Sequence, residues 1–575
     1  MAPHSPHAAD ARGRDATTSQ HIHAGHRQLL DAMADSEIKS DDGRPELESP
    51  VFTVCTLNVG GRNTNSFEFE MRGDLTELGE AWGERYQQAN SCLSESGPAT
   101  VEGLEKAVDA AYAQMASEPR STESVVTALL NDSTWEKALE RVTRDCPMLF
   151  NACNLASLRV GRPAPLEMPE NLLKFEANVE DDSVAQFFGA WLRWLHSTNN
   201  EDWAAWSKRS KKYSVSLGDA VAGLLIFDAM CFEALRRMYP SSESCGDIMR
   251  EHLSFHDRLH FTTEVGKYTK LVELLAELQF PEVVCLQEAY DLVEISRGGT
   301  SALSDRMYSM FADKYAINAS GETAVLARRD AFQTVADGEG KPAWYLTLEA
   351  EGRKLYGDDP KLLKDWETTL QRTCVVQARR LRTEVSESAS LLPKRWAAVD
   401  KMTRRAGSFR LRSTPRSGPV PVALCAVHGK GASEVGNAFV PALARALSTH
   451  FSDKAAFVLG MDSNTSDSDA FSAALESCGI MAEEASDPAA RTVAKRRSRL
   501  QTQVKKAGVL DVSLKDFVVA WRADEAGEKM EPLVRGVEQF PSLKSGDTIE
   551  MLMPTAQWPF DHALLVAEVG GFMGP

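Results

Sequence analysis

Five short apolar runs, far apart along the chain, each end on or near polar side chains. Runs of four to eight residues rich in Val, Leu and Cys predict buried strands. A polar group left unpaired at the end of a buried strand would be costly, so we expect these side chains to belong to a site. The runs are TVCTLNV with Asn58, PEVVCLQE with Glu288, VALCAVHGK with His428, FVLGMDSN with Asp462 and Asn464, and WPFDHALLV with Asp561 and His562.

The sequence between the first two runs predicts a helical insertion. Segments such as VEGLEKAVDAAYAQMA and LGDAVAGLLIFDAMCFEALRRM have apolar residues three to four positions apart, which is the spacing of a helix with one buried face. We predict the first part of a domain over 49–71, the insertion over 72–254 and the remainder of that domain over 255–575. A lid, a module that binds a protein partner and a structural decoration are the alternatives for the insertion.

The segments after the insertion alternate between helical and strand patterns. A predicted helix over 267–280 leads into the strand PEVVCLQE, and a second over 435–451 separates two further strands. LKDFVVAW and HALLVAEV are the last two predicted core strands. This order is typical of an α/β protein with two mixed sheets packed face to face and helices outside. Residues 1–48 are polar and without periodicity, and we predict a disordered tail there.

The acidic charge of the chain limits its partners. A formal net charge of −18 over 575 residues disfavours nonspecific binding of nucleic acid by the whole surface. Two stretches are nevertheless basic, residues 379–416 and 494–508. They are either solvated helix faces and loops or a rim that attracts a polyanionic substrate.

Cysteine usage and hydropathy predict an intracellular protein, in the cytoplasm or nucleus, with organelle targeting left open. Three of the ten cysteines, Cys55, Cys285 and Cys425, lie in predicted strands, as small core residues do in a reducing compartment. No apolar run approaches the ~20 residues of a membrane span. A secretory signal is not expected either, because no continuous apolar segment follows the N-terminus.

The residue types at the strand ends predict chemistry on phosphates. They are carboxylates, amides and histidines, without the CxxC spacing of a zinc site. Oxygen ligands of this kind favour hard cations such as Mg²⁺ or Mn²⁺.

These motifs, in this order, resemble the endonuclease/exonuclease/phosphatase superfamily of metal-dependent phosphoesterases. The resemblance covers residues 51–60 and roughly 262–575. It implies a four-layer α/β sandwich, two packed mixed β-sheets flanked by helices, here with a large helical insertion. It also implies Mg²⁺ (or Mn²⁺) as cofactor and a phosphate ester as substrate, with RNA or DNA as candidates.

The resemblance also implies a role for each motif residue. Glu288 would bind the metal, with Asp561 contributing, and Asn58 would orient Glu288, join the metal site or touch the phosphate. Asp462 and Asn464, two apart and so on one face of a strand, would hold the attacking water and the phosphate. The remaining roles fall to three residues: His428 as a donor to the phosphate or leaving group, His562 as acid/base, and Asp516 as the partner of His562, with Asp511 as a competing candidate.

Two positions depart from the family pattern. Met461 stands between Gly460 and Asp462, where the family commonly has Gly-Asp-x-Asn, and Phe560 replaces the serine of Ser-Asp-His. The second departure removes one supporting hydrogen bond and leaves the Asp-His pair.

The leading functional hypothesis is a phosphodiesterase or nuclease that acts on nucleic acid or a nucleotide. An inositol polyphosphate or phosphoinositide phosphatase is the alternative, since LNVGG is similar to that branch. No segment like Pro-Ala-Trp-Cys-Asp-Arg supports it, however. A non-catalytic scaffold with the insertion as binding part is a third hypothesis, which the intact motif residues disfavour.

Overall fold

The computed structural model describes the core strands, the helices around them and scattered positions of the predicted insertion. The described residues are 52–60, 84–85, 162, 164, 187, 190–191, 194, 228, 231–242, 244–260, 264–296, 308–309, 311–335, 340–381, 421–430, 433–451, 456–465, 468–477, 491–496, 510–523, 530–541, 544–545, 548–549, 553 and 558–570. All except Leu381 belong to one compact unit, Val51–Arg380 with Val420–Gly570.

Several predictions fall outside the described residues. These are the disordered tail over 1–48, most of the helical insertion and most of the two basic stretches, namely 382–416 and 497–508.

Sixteen strands and seven helices are delimited among the described residues. The strands are β1 Phe52–Asn58, β2 Val283–Gln287, β3 Tyr315–Ser320, β4 Thr323–Arg328, β5 Phe332–Thr334, β6 Thr373–Arg380, β7 Pro421–His428, β8 Ala456–Asp462, β9 Val493–Arg496, β10 Leu510–Ser513, β11 Asp516–Ala523, β12 Met530–Pro532, β13 Val534–Phe540, β14 Lys544–Ser545, β15 Thr548–Ile549 and β16 Leu564–Val569. The helices are α1 Cys245–His260, α2 Glu264–Glu277, α3 Tyr290–Ser296, α4 Ala343–Tyr356, α5 Pro360–Gln371, α6 Ser433–His450 and α7 Ser468–Glu476.

Two six-stranded mixed sheets form the core. The first has the order β13-β16-β1-β2-β4-β3 and the second the order β12-β11-β8-β7-β6-β5. Each sheet has one parallel pair at its centre, β1 with β2 and β7 with β8. The strands of these pairs are buried on both faces, which explains why their sequences are continuous apolar runs rather than alternating ones.

The inner faces of the two sheets approach closely at Gly460 in β8. A methyl group added there would lie 2.5 Å from Cys285 Cβ and 2.9 Å from Thr56 Cβ of the opposite sheet. One polar group crosses the same interface, since Gln287 Nε2 donates to Gly460 O at 3.3 Å, besides its bond to Thr56 Oγ1 of its own sheet at 3.0 Å. The missing side chain at Gly460 therefore permits the close packing of β8 against β1 and β2.

Helices cover the outer face of each sheet. Tyr268, Leu271 and Leu275 of α2 pack with β1, β2 and β4 in one apolar cluster. Phe439 and Leu443 of α6 belong to a second cluster, which also includes residues of α4, α5 and α7 and the outward side chains of β7, β8 and β11. The layer order of helix, sheet, sheet and helix confirms the predicted fold class.

Some predicted elements coincide with observed ones. The helices predicted over 267–280 and 435–451 correspond to α2 and α6. Residues 231–238 and α1 are helical, and α1 runs across the predicted boundary between residues 254 and 255. Within the described residues, no helix is long and apolar enough to cross a membrane.

Candidate active site

Strand topology brings the motif residues to one edge of the sandwich. Asn58 ends β1 and lies opposite Gln287 in the parallel register, so Glu288 follows at the same edge. In the second sheet His428 at the end of β7 lies opposite Asp462 at the end of β8. Because β11 runs antiparallel to β8, its first residue, Asp516, also lies opposite Asp462.

Asn58 connects the carboxylates that the two sheets contribute to the site. Its Nδ2 donates to Asp462 Oδ2 at 2.9 Å and to Glu288 Oε1 at 3.3 Å. Its Oδ1 accepts the backbone N–H of Gly60 at 2.8 Å, which fixes the orientation of the amide. Asn58 is 1% exposed. The amide therefore presents its donors to both carboxylates, and its oxygen accepts from the Gly60 backbone.

Asn464 lies beyond the end of β8, so strand alternation does not place it beside Asp462 as predicted. The backbone turns after Asp462, and Asn464 adopts a positive φ of 50°. Asp462 Oδ1 accepts the Asn464 backbone N–H at 2.7 Å, which closes an Asx-type turn. The side chain of Asn464 still points into the site, since its Nδ2 lies 2.8 Å from His428 Nε2 and 2.9 Å from Gly429 O.

Asp462 is the central carboxylate and is held ionised. Burial opposes its ionisation, but His562, His428 and the donors from Asn58 and Asn464 lower its pKa below the ordinary value. Its Oδ2 lies 3.7 Å from His428 Nε2 and 3.8 Å from His562 Nε2. Two imidazoles thus face the same carboxylate oxygen.

His428 is oriented by Glu322, a residue that the sequence reasoning did not select. The Glu322 carboxylate forms an ion pair with His428 Nδ1 and a second one, at 2.6 Å, with Arg372 Nη1. Tyr290 Oη donates to the other oxygen of Glu322. Burial raises the pKa of Glu322, but these three partners lower it overall, so the carboxylate stays charged. A proton held on Nδ1 leaves Nε2 facing the site.

His562 forms a buried pair with Asp516. His562 Nδ1 lies 2.9 Å from Asp516 Oδ2, and both side chains are at most 5% exposed. Burial alone would lower the pKa of His562, but Asp516, Asp462 and Asp561 raise it to about 9. The imidazole is therefore protonated at neutral pH and can donate from Nε2. The competing candidate Asp511 is paired instead with Lys515, at 2.7 Å, and lies opposite Lys495 in the β9–β10 pair.

Thr492 holds the His562 segment against β11. The Thr492 carbonyl accepts the Ala563 N–H at 2.8 Å, and its hydroxyl accepts the Asp516 N–H at 3.1 Å. Trp558 Nε1 donates to the His562 carbonyl at 2.9 Å. These contacts fix the backbone on both sides of His562.

Asp561 is paired with a lysine. Lys495 Nζ in β9 lies 2.5 Å from Asp561 Oδ2. On the other side of the carboxylate, a methyl group added at Gly60 would lie 2.6 Å from Asp561 Oδ1. Asp561 is thus close to the Asn58 turn, but its oxygens face an ammonium group and the backbone.

The residues present fit a hard divalent cation on the Glu288 side. The Glu288 side chain is 32% exposed and directly follows β2, so its carboxylate can bind an ion that keeps several waters, as Mg²⁺ does. Asp462, Asp516 and His562 also have ligand atoms within 4.8 Å of one another. That buried trio suits proton transfer better, because the protonated imidazole has no lone pair for a metal.

The residues that sequence reasoning missed carry little local signal. Glu322 lies in the tight turn between β3 and β4, where an acidic residue is ordinary. Arg372 lies in a segment without a motif, and Lys495 lies in the basic stretch 494–508, where its charge alone does not distinguish it from its neighbours. The part that these three residues have in the site follows only from tertiary contacts. Glu322 and His428, for example, are 106 positions apart in the sequence.

Comparisons with known proteins found likeness in structure and none in sequence. No family model matches the chain, and no curated protein matches it. Three of the matching solved structures are D. rerio TDP2 complexed with a single strand DNA product (10% identity, TM-score 0.29, 52% of this chain and 90% of that one), ANGEL2, a 2',3'-cyclic phosphatase, in complex with adenosine-2',3'-vanadate (11%, 0.27, 56% and 93%), and an endonuclease/exonuclease/phosphatase family protein from Bacteroides thetaiotaomicron (9%, 0.27, 53% and 88%).

At these identities and TM-scores the likenesses carry no argument about the site or the reaction. The chain's own architecture is a four-layer α/β sandwich, with two six-stranded mixed sheets between helices. The fold predicted from the motifs is confirmed at that level.

Proposed function

We propose that the chain is a Mg²⁺- or Mn²⁺-dependent hydrolase of phosphate esters, and specifically a phosphodiesterase that acts on nucleic acid or a nucleotide. The observation that carries the proposal is the arrangement around Asp462. The ionised Asp462 carboxylate lies within 3.8 Å of the Nε2 atoms of His428 and His562. The partly exposed Glu288 lies at the same edge of the sandwich.

Each group has a part in hydrolysing a phosphodiester. Asp462 accepts a hydrogen bond from the attacking water and orients it towards phosphorus, with Asn464 beside it. His562, protonated through its pairing with Asp516, donates to the oxygen on which negative charge develops. His428 has its Nδ1 paired with Glu322, and its Nε2, which accepts from Asn464 Nδ2 at 2.8 Å, is a second acid/base group. The cation held by Glu288 would neutralise charge on the phosphoryl oxygens.

An alkoxide leaving group needs a proton donor whether the substrate is a diester or a monoester, and the site provides histidines for it. The distribution of charge supports a polynucleotide as the substrate. The basic stretches of the sequence, 379–416 and 494–508, would attract a polyanion despite the net acidic charge.

Hydrolysis of a substrate panel tests the proposal. Single- and double-stranded DNA, poly(A) RNA, NADPH and inositol polyphosphates are incubated with MgCl₂, with and without EDTA, using Glu288→Ala and His562→Ala as blanks. We expect cleavage of a polynucleotide or nucleotide that EDTA and both substitutions abolish. Phosphate release from inositol compounds alone would favour the alternative phosphatase. Cleavage that survives in both variants would overturn the assigned site.

A further inference from the structure

We infer that Thr492 is a positioning residue for the reaction, because its hydroxyl holds the Asp516 carboxylate in place against His562. The inference rests on the proposed function, in which the Asp516–His562 pair supplies a proton. It deepens that function by adding a residue that is fully buried and acts through the pair rather than on the substrate.

The Asp516–His562 pair crosses from one sheet to the other. Asp516 begins β11 of the second sheet, and His562 lies two residues before β16 of the first. The 2.9 Å contact between His562 Nδ1 and Asp516 Oδ2 therefore depends on how these two segments are placed relative to each other. A residue bonded to both segments can fix that placement, and small displacements of catalytic groups are costly for the rate.

Thr492 is bonded to both segments. On the His562 side, its carbonyl accepts the Ala563 N–H at 2.8 Å. On the Asp516 side, its hydroxyl oxygen accepts the N–H of Lys515 at 3.0 Å and the N–H of Asp516 at 3.1 Å. Thr492 thus connects the backbone next to His562 with the first residue of β11.

The peptide group before Asp516 is held from two directions. Its N–H is bonded to the Thr492 hydroxyl, while the Lys515 carbonyl accepts the Ser463 N–H at 2.8 Å and the Ser463 hydroxyl at 2.9 Å. Ser463 directly follows Asp462, so the same segment is tied to the turn that carries the central carboxylate. Without the Thr492 oxygen, two buried amides would lose their acceptor, which is costly, and the start of β11 would be held from one direction only.

The Thr492 hydroxyl also favours the charged form of Asp516. Burial raises the pKa of the Asp516 carboxyl above its ordinary value, and the His562 imidazole and the Thr492 hydroxyl oppose that rise. Loss of the hydroxyl would therefore weaken the pair twice, because the carboxylate would be placed less firmly and its ionisation would be less favourable.

Proton NMR of the full-length protein tests this inference without a substrate. A hydrogen-bonded imidazole N–H that is shielded from water gives a resonance far downfield, and its absence from His562→Gln assigns it to His562. We expect this resonance in the native protein and in Thr492→Ser, which keeps the hydroxyl. Thr492→Val has nearly the same shape without the hydroxyl, and it should lose the resonance or move it upfield. In hydrolysis, kcat should fall roughly 10–100-fold in Thr492→Val, stay near the native value in Thr492→Ser, and change more than KM.

Thr369→Val is the matched control. Thr369 is also buried, and its hydroxyl oxygen accepts the backbone N–H of Lys430 at 3.0 Å, but no contact among the described residues links it to the Asp516–His562 pair. Its substitution should lower the melting temperature, as Thr492→Val does, and leave the His562 resonance in place.

Three results would overturn the inference: an unchanged resonance in a folded Thr492→Val, its loss in Thr492→Ser, or a native protein without any resonance that depends on His562. If Thr492→Val does not fold, Thr492→Ala also lacks the hydroxyl and carries the same expectation. A native protein that shows the resonance but cleaves no phosphate ester would contradict the proposed function, and the resonances of the variants would still decide whether Thr492 holds the pair.

Discussion

Asp511 and Asp516 are five residues apart and differ in every contact that bears on the chemistry. Asp516 is buried and paired with His562, while Asp511 is paired with Lys515. We expect Asp516→Asn to lower kcat by roughly 10²–10⁴, because His562 loses both its orientation and the charge that keeps it protonated. Steady-state hydrolysis of an oligonucleotide measures the loss.

Asp511→Asn is the control for that substitution. It removes the same charge from β10, where Asp511 is paired with Lys515 and lies opposite Lys495 rather than His562, and kcat should stay near the native value. Equal losses in both variants would show that the general charge of this region matters rather than the His562 pair.

The raised pKa of His562 also predicts a pH dependence of stability. Folding raises this pKa from an ordinary value near 6.5 to about 9. The folded state keeps the proton between these values while the unfolded state loses it. The stabilisation is therefore fully present below pH 6.5 and is lost as the pH rises towards 9. For this group alone the free energy of unfolding should fall by about 1.4 kcal/mol per pH unit.

Thermal unfolding in EDTA between pH 6 and 9.5 measures this effect. The His562→Gln protein lacks the titrating group, so its melting temperature should decline less steeply over the same window. Parallel curves for the two proteins would show that His562 is not protonated in the fold.

At the residue scale, the local sequence predicted which residues belong to the site better than it predicted their contacts. Asn58, Glu288 and Asp462 could be predicted because each ends an apolar run. The bonds between them join positions 230 and 404 residues apart, and no local pattern contains them. Glu322 could not be predicted from its turn, because its function depends on His428, which follows 106 positions later.

At the scale of elements, the sequence of β8 is constrained by packing both within its own sheet and against the other sheet. It packs against β7 and β11 within its sheet, and it approaches β1 and β2 of the other sheet through Gly460. Gly460→Ala would place a methyl group 2.5 Å from Cys285 Cβ. We expect a loss of about 1–3 kcal/mol in the free energy of unfolding from this overpacking.

Chemical denaturation measures that loss, with Gly436→Ala as the comparison. Gly436 lies in α6, and a methyl group there would approach only Ser463 O, at 3.3 Å. Alanine also favours a helix over glycine by about 1 kcal/mol, so this variant should remain within ~1 kcal/mol of the native protein. Equal effects at the two positions would argue against a tight sheet interface at Gly460.

The elements predicted best were long apolar runs and strongly periodic helices. β1, β2, β7, β8 and α6 follow directly from their sequences, since burial on one or both faces determines their residue types. The short strands β5 and β12 have three residues each and carry too few positions for a period to show. The end of β8 was missed for another reason, because the Asx-type turn at Asp462 overrides strand alternation before Asn464.

At the scale of the molecule, both sheets must be in register for the site to exist. Asn58 and Glu288 come from one sheet, and Asp462, His428 and Asp516 come from the other. The unfolded chain cannot reproduce such a site, so a cation that binds it should stabilise only the folded state. Mass action gives about 2.7 kcal/mol at a concentration of 100 Kd.

A fluorescence melting curve with increasing MnCl₂ tests this coupling of binding to folding. The native melting temperature should rise with the concentration of Mn²⁺ and fall back when EDTA is added. Glu288→Gln should show little of this rise, because it removes the partly exposed carboxylate that we propose as the ligand of the ion. Glu273→Gln removes a carboxylate that is 57% exposed on α2 and should keep the full response. A native-like rise in Glu288→Gln would show that the cation has other ligands. The proposed position of the phosphate beside Glu288 would then be wrong as well.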